Sequence, residues 1–356
     1  MSEPVLLGLD VSHGNTSRLP APCFPAFMRG LGRKYMHRFL LFVTGCLAVC
    51  AAQAASPQVH DRASAFVAFW DRTRHIPIAG RVALFKREIA PTFAPFYGIE
   101  RYEGERTAEE QDRVIEHALL NFGPIRDAFI DKANGAEQEL ERHVATITKH
   151  FPDYRPDIDI YLVHSLGEMN GGPRTLAGRD YLIFGLDVMA KLHGTQDESA
   201  FYQHELFHTY HQQRLGDCDS GQVWSSLWKE GLATHVSKVL NPAADERALQ
   251  LDFPAGMPSR TRAVLPKALA QLRDVWASED GKTWGGLFHT RTDDGTGLPG
   301  RRGYYLGFLV AREAGKRFSL QELARLDCSR SRTVALSALE SLLRDAATPG
   351  KERIPR

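Results

Sequence analysis

The sequence lacks a strong net charge, and it lacks an apolar run long enough to cross a membrane. Its 44 Lys and Arg residues balance 43 Asp and Glu residues, which gives a formal charge of +1 at pH 7. This neutrality gives no reason to expect a nucleic-acid partner. The apolar run at 39–51 is shorter than the roughly 20 residues of a transmembrane helix. With 43% hydrophobic and 24% charged residues, the chain has the composition of a folded globular protein.

The N-terminal part has the layout of a secretory signal peptide. From Met36 the chain reads MHRFLLFVTGCLAVCAAQAASP, with a basic start, an apolar run, and the small residues Ala52 and Ala54 on either side of Gln53. These are the three regions of a signal peptide that ends in an A-x-A cleavage site. We therefore expect residues 36–54 to direct export to the periplasm or the medium. A buried helix of a cytosolic domain is the alternative.

The same N-terminal region bears on two further questions, namely where translation starts and whether the protein carries a lipid anchor. Residues 1–35 carry no apolar periodicity, so we expect a non-structural upstream segment and a true start at Met36 or Met28. The sequence VTGC at 43–46 resembles a lipobox that would place a lipid on Cys46. It lies too early for a normal apolar region, so a lipid anchor is the weaker interpretation.

Few cysteines remain after removal of the signal peptide, namely Cys218 and Cys328. An even number of cysteines in an exported protein permits one disulfide. Two unpaired buried thiols are the alternative, because the sequence does not give the Cα–Cα distance that a disulfide requires.

Helical periodicity dominates residues 55–152. In TAEEQDRVIEHALLNF, at 107–122, Thr107 is a predicted N-cap, acidic residues follow in the first turn, and apolar residues recur at helical spacing. We therefore predict an N-terminal helical region over 55–152.

The region 153–346 mixes strands and helices. DIDIYLVHS at 157–165 and DYLIFGLDV at 180–188 are rich in β-forming residues, which predicts two strands of one small sheet, separated by a glycine-rich loop. Helical patterns and a C-terminal tail follow, at 198–214, 222–240, 265–278, 304–318 and 347–356. These patterns predict a mainly helical α+β fold, with a small mixed or antiparallel sheet beside the helix 198–214.

The sequence FYQHELFHTYHQQ, at 201–213, carries the candidate chemistry. His204 and His208 are four residues apart, so on a helix both imidazoles point to the same side and can bind one metal ion. Glu205 projects beside that ion and can accept a proton from a metal-bound water. A polar helix face is the alternative, but it gives Glu205 no role.

Catalytic zinc takes three protein ligands and leaves its fourth position to water, so a third ligand is required. Glu230, in WSSLWKEGLATHVS at 224–237, is the candidate on the next predicted helix. A turn at 216–221 would let this helix fold back beside the first. The small residues Gly231 and Ala233 would then let the two helices approach closely. A surface glutamate paired with a lysine is the alternative.

HELFH at 204–208 and EGLA at 230–233 together resemble the motifs of the gluzincin class of zinc metallopeptidases. The chain also looks similar to bacterial predicted zinc-dependent peptidase domains of unknown function, over roughly residues 158–318. The resemblance implies a zincin-like fold, Zn²⁺ as cofactor and the hydrolysis of peptide bonds. It further implies these roles: His204, His208 and Glu230 as ligands, and Glu205 as general base.

The resemblance also implies an oxyanion donor and a strand that binds substrate. Related gluzincins use a Tyr or His from a downstream helix as the donor, and GYYLGF offers Tyr305. The alternatives are Tyr304, Arg301 and Arg302. An edge strand before the motif binds the substrate backbone, which implies that YLIFG at 181–185 holds a peptide or protein substrate. The alternative for the tyrosines is that they only pack in the core. The alternative for the two strands is that they only cover a core.

A second function fits the same motif. A non-catalytic periplasmic module could keep the metal for stability or assembly, and its site would then be closed by a fourth protein ligand. His211, Asp217 and His235 are the candidates for that ligand. The presence of Glu205 argues against this function, because a purely structural site does not need a base.

Overall fold

A computed structural model describes residues 57–347, except residues 195, 217, 219, 220 and 291. The expected upstream segment and signal peptide, including Cys46, lie outside these residues. The helices of the described residues are α1 (Ala63–Thr73), α2 (Ile78–Glu88), α3 (Ala94–Tyr97), α4 (Ala108–Asn121), α5 (Arg126–His150), α6 (Leu186–Leu192), α7 (Ser199–Leu215), α8 (Val223–Leu240), α9 (Met257–Ala263), α10 (Leu265–Asp274), α11 (Gly281–Phe288), α12 (Arg302–Ala314), α13 (Leu320–Ala324) and α14 (Cys328–Ala347). Among these residues, no helix combines the length and the apolar character needed to span a membrane.

A small mixed sheet accompanies the helices. Its strands are β1 (Val59–Asp61), β2 (Asp159–Val163), β3 (Gly171–Leu176) and β4 (Arg179–Gly185). Their order is β1-β2-β4-β3, with β2 parallel to both of its neighbours and β3 antiparallel to β4. The predicted class, a mainly helical α+β fold with a small sheet, is confirmed.

The N-terminal helices follow their local sequence signals. Thr107 caps α4 as predicted: its side chain accepts a hydrogen bond from the Glu110 backbone, and the Glu110 side chain accepts one from the Thr107 backbone. This reciprocal pair satisfies two backbone donors that the first turn of a helix leaves unpaired. The apolar stripe of α4, including Ile115 and Leu119, is buried.

The prediction of a loop between the two strands was wrong, because part of it forms β3. Ala177 and Gly178 both adopt positive φ, at 50° and 74°, as the two-residue turn of a tight hairpin requires. The hairpin pairs Leu176 with Arg179 and Gly171 with Phe184. Pro173 lies inside β3, which is acceptable because β3 is at the edge of the sheet and needs no donor on its free side.

The second predicted strand, 180–188, ends early and turns into α6. A Cβ on Gly185 would lie 1.9 Å from the Met169 carbonyl oxygen, so the chain is tightly packed at this point. The buried Asp187 carboxylate accepts hydrogen bonds from the backbone of Ser165, at 2.6 Å, and Gly167, at 2.8 Å. An apolar run that continues from a buried strand into a buried helix shows no change of periodicity, which explains the error.

The helix α8 is held between α7 and α12. Trp224 and Trp228 of α8 are fully buried. At its closest approach to α12, a Cβ on Gly231 would lie 2.2 Å from the backbone carbon and oxygen of Gly307. Gly231 therefore allows a close approach to α12, a helix that the sequence analysis did not place beside it.

A disulfide joins Cys218, in the turn between α7 and α8, to Cys328 at the start of α14, with a Cα–Cα distance of 5.3 Å. The Cys218 carbonyl also accepts a hydrogen bond from the Ser225 hydroxyl of α8, at 2.8 Å. Cys218, which lies between α7 and α8, is thus held both covalently and by a hydrogen bond.

Candidate metal centre

The helix α7 presents two histidines on one face of an otherwise buried segment. The Nε2 atoms of His204 and His208 lie 2.9 Å apart. Neighbouring residues such as Leu206, Phe207 and Tyr210 are fully buried. The two imidazoles keep 15% and 13% of their side-chain surface exposed, so a small ligand can reach them.

Glu230 of α8 completes a triangle of ligand atoms. Its Oε2 lies 3.2 Å from Nε2 of His204 and 3.5 Å from Nε2 of His208. Ligand atoms about 2.0–2.1 Å from a tetrahedral zinc ion are about 3.3–3.4 Å from one another. The three observed separations bracket that value, so the two imidazoles and the carboxylate fit Zn²⁺.

The charges of these groups also favour a cation. Burial alone would raise the pKa of Glu230, but the two histidines lower it, so the carboxylate stays ionised. Burial alone would lower the pKa of His208, but Glu230 and Glu205 raise it. The two carboxylates thus favour a positive charge at His208, and a bound metal ion would supply positive charge at the same place.

A threonine on α8 orients the first histidine. The Thr234 hydroxyl donates to the Glu230 carbonyl at 2.8 Å, and it lies 3.5 Å from Nδ1 of His204. Because its proton is used, the hydroxyl can only accept from Nδ1–H. This bond leaves the Nε2 lone pair of His204 free to face an ion.

Glu205 lies beside this triangle and faces the sheet. Its ligand atom and those of His204 and His208 are all within 4.8 Å of one another. Its Oε2 would lie 3.6 Å from a Cβ on Gly172 of β3. The Glu230 carboxylate lies 3.2 Å and 3.5 Å from the two imidazole nitrogens, well within that limit. We therefore regard Glu230 as the candidate ligand and Glu205 as the neighbouring carboxylate.

Of the two tyrosines at the start of α12, the structure brings Tyr304 to the site and not Tyr305. Burial raises the pKa of Tyr304, and the negative charges of Glu230 and Glu205 raise it further. The Tyr305 hydroxyl instead accepts a hydrogen bond from Arg262 at 3.1 Å, and its ring packs in a separate apolar cluster. Tyr304 therefore takes the place of Tyr305 as the candidate oxyanion donor.

The two arginines proposed as alternative donors have other roles. Arg302 is fully buried and donates to the Gly286 carbonyl, at 3.0 Å, and to the Asp294 carboxylate, at 2.5 Å. Arg301 donates to the Gln250 carbonyl at 3.1 Å, and its guanidinium lies 4.2 Å from the centre of the Tyr304 ring. Arg301 thus packs on the ring of Tyr304, whereas Arg302 binds the loop before α12 through Asp294.

The histidines considered as a fourth ligand do not join the cluster. His211 is buried and stacks on Phe207, and burial lowers its pKa to about 3. The His235 Nε2 faces Gly315, and burial lowers the pKa of His235 to about 4. Asp217 lies outside the described residues. Within the described part of the chain, the candidate ligands are therefore His204, His208 and Glu230, and neither His211 nor His235 adds a fourth.

The strand 181–185 is not at an edge, which corrects the expected substrate strand. It forms most of β4 and pairs with β2 on one side and β3 on the other, so its backbone has no free side. The edge strand beside Glu205 is β3. Gly185 donates to the Asn170 carbonyl at 2.9 Å, and the alternation of an antiparallel pair then directs the backbone of residues 171, 173 and 175 away from β4.

Comparison of the chain with protein-family models, with curated proteins and with solved structures found no match. The candidate centre is therefore characterised by its own geometry. Sequence patterns located the histidines and both glutamates, whereas Thr234, Gly172 and the choice of Tyr304 depend on how the helices and the hairpin pack.

Proposed function

We propose that the protein is an exported zinc metallopeptidase. The observation that carries this proposal is the convergence of His204 Nε2, His208 Nε2 and Glu230 Oε2 at 2.9–3.5 Å, with a second carboxylate, Glu205, beside them. Two imidazoles and one carboxylate, with an open fourth position, form a donor set of catalytic zinc sites.

Each residue of the site has a role in this proposal. His204, His208 and Glu230 would hold the ion. When bound, Zn²⁺ supplies a Lewis acid that polarises a carbonyl and lowers the pKa of water to about 7. Glu205 accepts the proton of the attacking water and delivers it to the leaving amine. Tyr304, whose raised pKa keeps its hydroxyl protonated, donates a hydrogen bond to the oxygen on which charge develops.

The substrate backbone would add to β3 as a further strand. The free side of β3 carries carbonyl groups of residues 171, 173 and 175, and peptides commonly bind to an exposed sheet edge by main-chain hydrogen bonds. Because Gly172 of β3 faces Glu205, a peptide on this edge lies next to the proposed base. Peptide or protein substrates are therefore the class that we propose.

Export is supported by two independent features. The first feature is the signal-peptide layout of residues 36–54 in the sequence, which lie outside the described residues. The disulfide between Cys218 and Cys328 is of the kind that persists in oxidising compartments such as the periplasm.

The first experiment measures metal content by mass spectrometry and peptide hydrolysis on the same samples of purified wild type, Glu230→Gln and Glu205→Gln. We expect about one zinc per wild-type chain. Glu230→Gln should weaken zinc binding by more than about 100-fold, because even partners outside the ligand set cost about 10–100-fold.

The matched Glu205→Gln variant separates the base from the ligands. It should keep its zinc and lose hydrolysis. A wild type that binds no transition metal after zinc is supplied would disprove the proposal, and zinc without hydrolysis would favour the non-catalytic module instead.

A further inference from the structure

The edge strand β3 carries an arginine, Arg174, that forms no ion pair with any of the described residues. Arg174 is half-buried, and among the described residues its guanidinium makes one hydrogen bond, from Nη1 to the Pro173 carbonyl at 2.8 Å. An arginine has five N–H donors. No carboxylate of the described residues lies within ion-pair distance of Arg174, so most of its donors are unused.

The position of Arg174 relative to the proposed base follows from Gly172. A Cβ on Gly172 would lie 3.3 Å from Arg174 Nη1 and 3.6 Å from Glu205 Oε2, so these two atoms lie within about 7 Å of each other. Burial lowers the pKa of Arg174, whereas Glu168 and Glu205 raise it, and the guanidinium remains charged in any case.

Glu168, the other carboxylate whose charge acts on Arg174, is already paired. Glu168 accepts hydrogen bonds from Arg101 Nη1, at 3.0 Å, and from the Tyr102 hydroxyl, at 3.2 Å. Its charge is therefore balanced by Arg101. A divalent ion on the histidines would likewise balance the charges of Glu205 and Glu230. Arg174 then remains as a positive charge that forms no ion pair with any of the described residues.

We propose that Arg174 binds a carboxylate of the substrate next to the scissile bond. This inference rests on the proposed peptidase function and deepens it by naming a substrate class, namely peptides with an acidic side chain or a free C-terminus at that position. A partly desolvated guanidinium with unused donors gains most from a charged acceptor, because hydrogen bonds to charged groups are stronger than neutral ones.

Three small probes separate the two sources of a carboxylate. N-acetylglutamate α-amide carries only the side-chain carboxylate, N-acetylglutamine carries only the terminal one, and N-acetylglutamine amide carries neither. Their binding is measured by calorimetry to zinc-loaded Glu205→Gln protein, which prevents turnover. We expect one of the carboxylate probes to bind roughly 10–100-fold more tightly than the neutral probe.

Variants of the hairpin assign the binding to one residue. Adding Arg174→Gln should abolish the preference, and Arg174→Lys should restore part of it. Arg179→Gln is the matched control, because Arg179 lies in the same hairpin, is largely exposed and pairs with Asp159, so its loss should leave the preference intact.

Two results would overturn the inference: equal binding of all three probes, or a preference that survives Arg174→Gln and so reflects direct binding to the ion. Hydrolysis of peptides by the wild type is assayed separately. Peptide hydrolysis without an Arg174-dependent preference would refute only this inference, whereas an Arg174-dependent preference without any hydrolysis would refute only the peptidase function.

Discussion

The substitution Gly231→Ala tests how α8 and α12 together build the site. The added Cβ would lie 2.2 Å from the backbone carbon and oxygen of Gly307, whereas ordinary contact begins at 3.4 Å. The obstructing atoms are backbone, so a side chain cannot move aside and α12 must retreat by about 1 Å. Overpacking of this kind costs about 1–3 kcal/mol. The better helix propensity of alanine returns at most about 1 kcal/mol.

We therefore expect Gly231→Ala to destabilise the fold by up to about 2 kcal/mol. Zinc affinity should fall as well, because the preceding residue on α8 is the proposed ligand Glu230. Urea unfolding gives the free energy from the midpoint and the slope, and a competition titration with a chelator gives the affinity.

Gly135→Ala is the matched control for this substitution. Gly135 lies within α5, and a Cβ there would meet nothing within 4 Å. The same chemical change should stabilise the protein by up to about 1 kcal/mol. If both variants had equal stability, the close approach of α8 and α12 would not constrain the protein, and the reasoning would be refuted.

Three further predictions concern the donor, the disulfide and a buried ion pair. Tyr304→Phe should lower kcat by about 10²–10³-fold without loss of zinc, and Tyr305→Phe should leave it unchanged; equal effects in steady-state kinetics would contradict the assignment. Cys218→Ser should cost about 4–5 kcal/mol in urea unfolding, because the disulfide joins residues 110 apart; a wild type insensitive to reductant would argue otherwise. Asp294→Asn leaves the buried Arg302 without its counter-charge and should cost about 3–5 kcal/mol. Burial would raise the pKa of Asp294, but hydrogen bonds from a threonine and from Arg302 lower it. The stability contributed by this ion pair is therefore complete above the unfolded pKa of about 3.9 and is lost as the pH falls from there through the folded pKa. Unfolding of wild type and variant between pH 5 and pH 2 would show this loss.

The parts of the fold that depend on local pattern were predictable. The helices α7 and α8 begin and end within a residue of their predicted bounds, because their breaks are marked by glycine-rich turns. The two histidines of the candidate metal site followed from their spacing on α7. Both inferences use contacts between residues that are close in the chain.

The parts that depend on distant contacts were not predictable. β3 is read as a loop from its Gly and Pro content, and only its pairing with β4 makes it a strand. Tyr304 and Tyr305 are neighbours on a helix and therefore point about 100° apart. Which of them faces the candidate ligands depends on the rotation of α12, and the close contact of Gly307 with Gly231 is one of the distant contacts that constrain it.

The disulfide also determines what happens if the chain is cut. A protease that cleaves the segment between α11 and α12 would separate Glu230 and Tyr304 onto different fragments. Cys218 remains on the first fragment and Cys328 on the second, so the disulfide keeps the two fragments in one molecule. Nicked protein would therefore migrate as a single species without reductant and as two species with it. The covalent link would thus keep both parts of the candidate site in one molecule after a cut next to it.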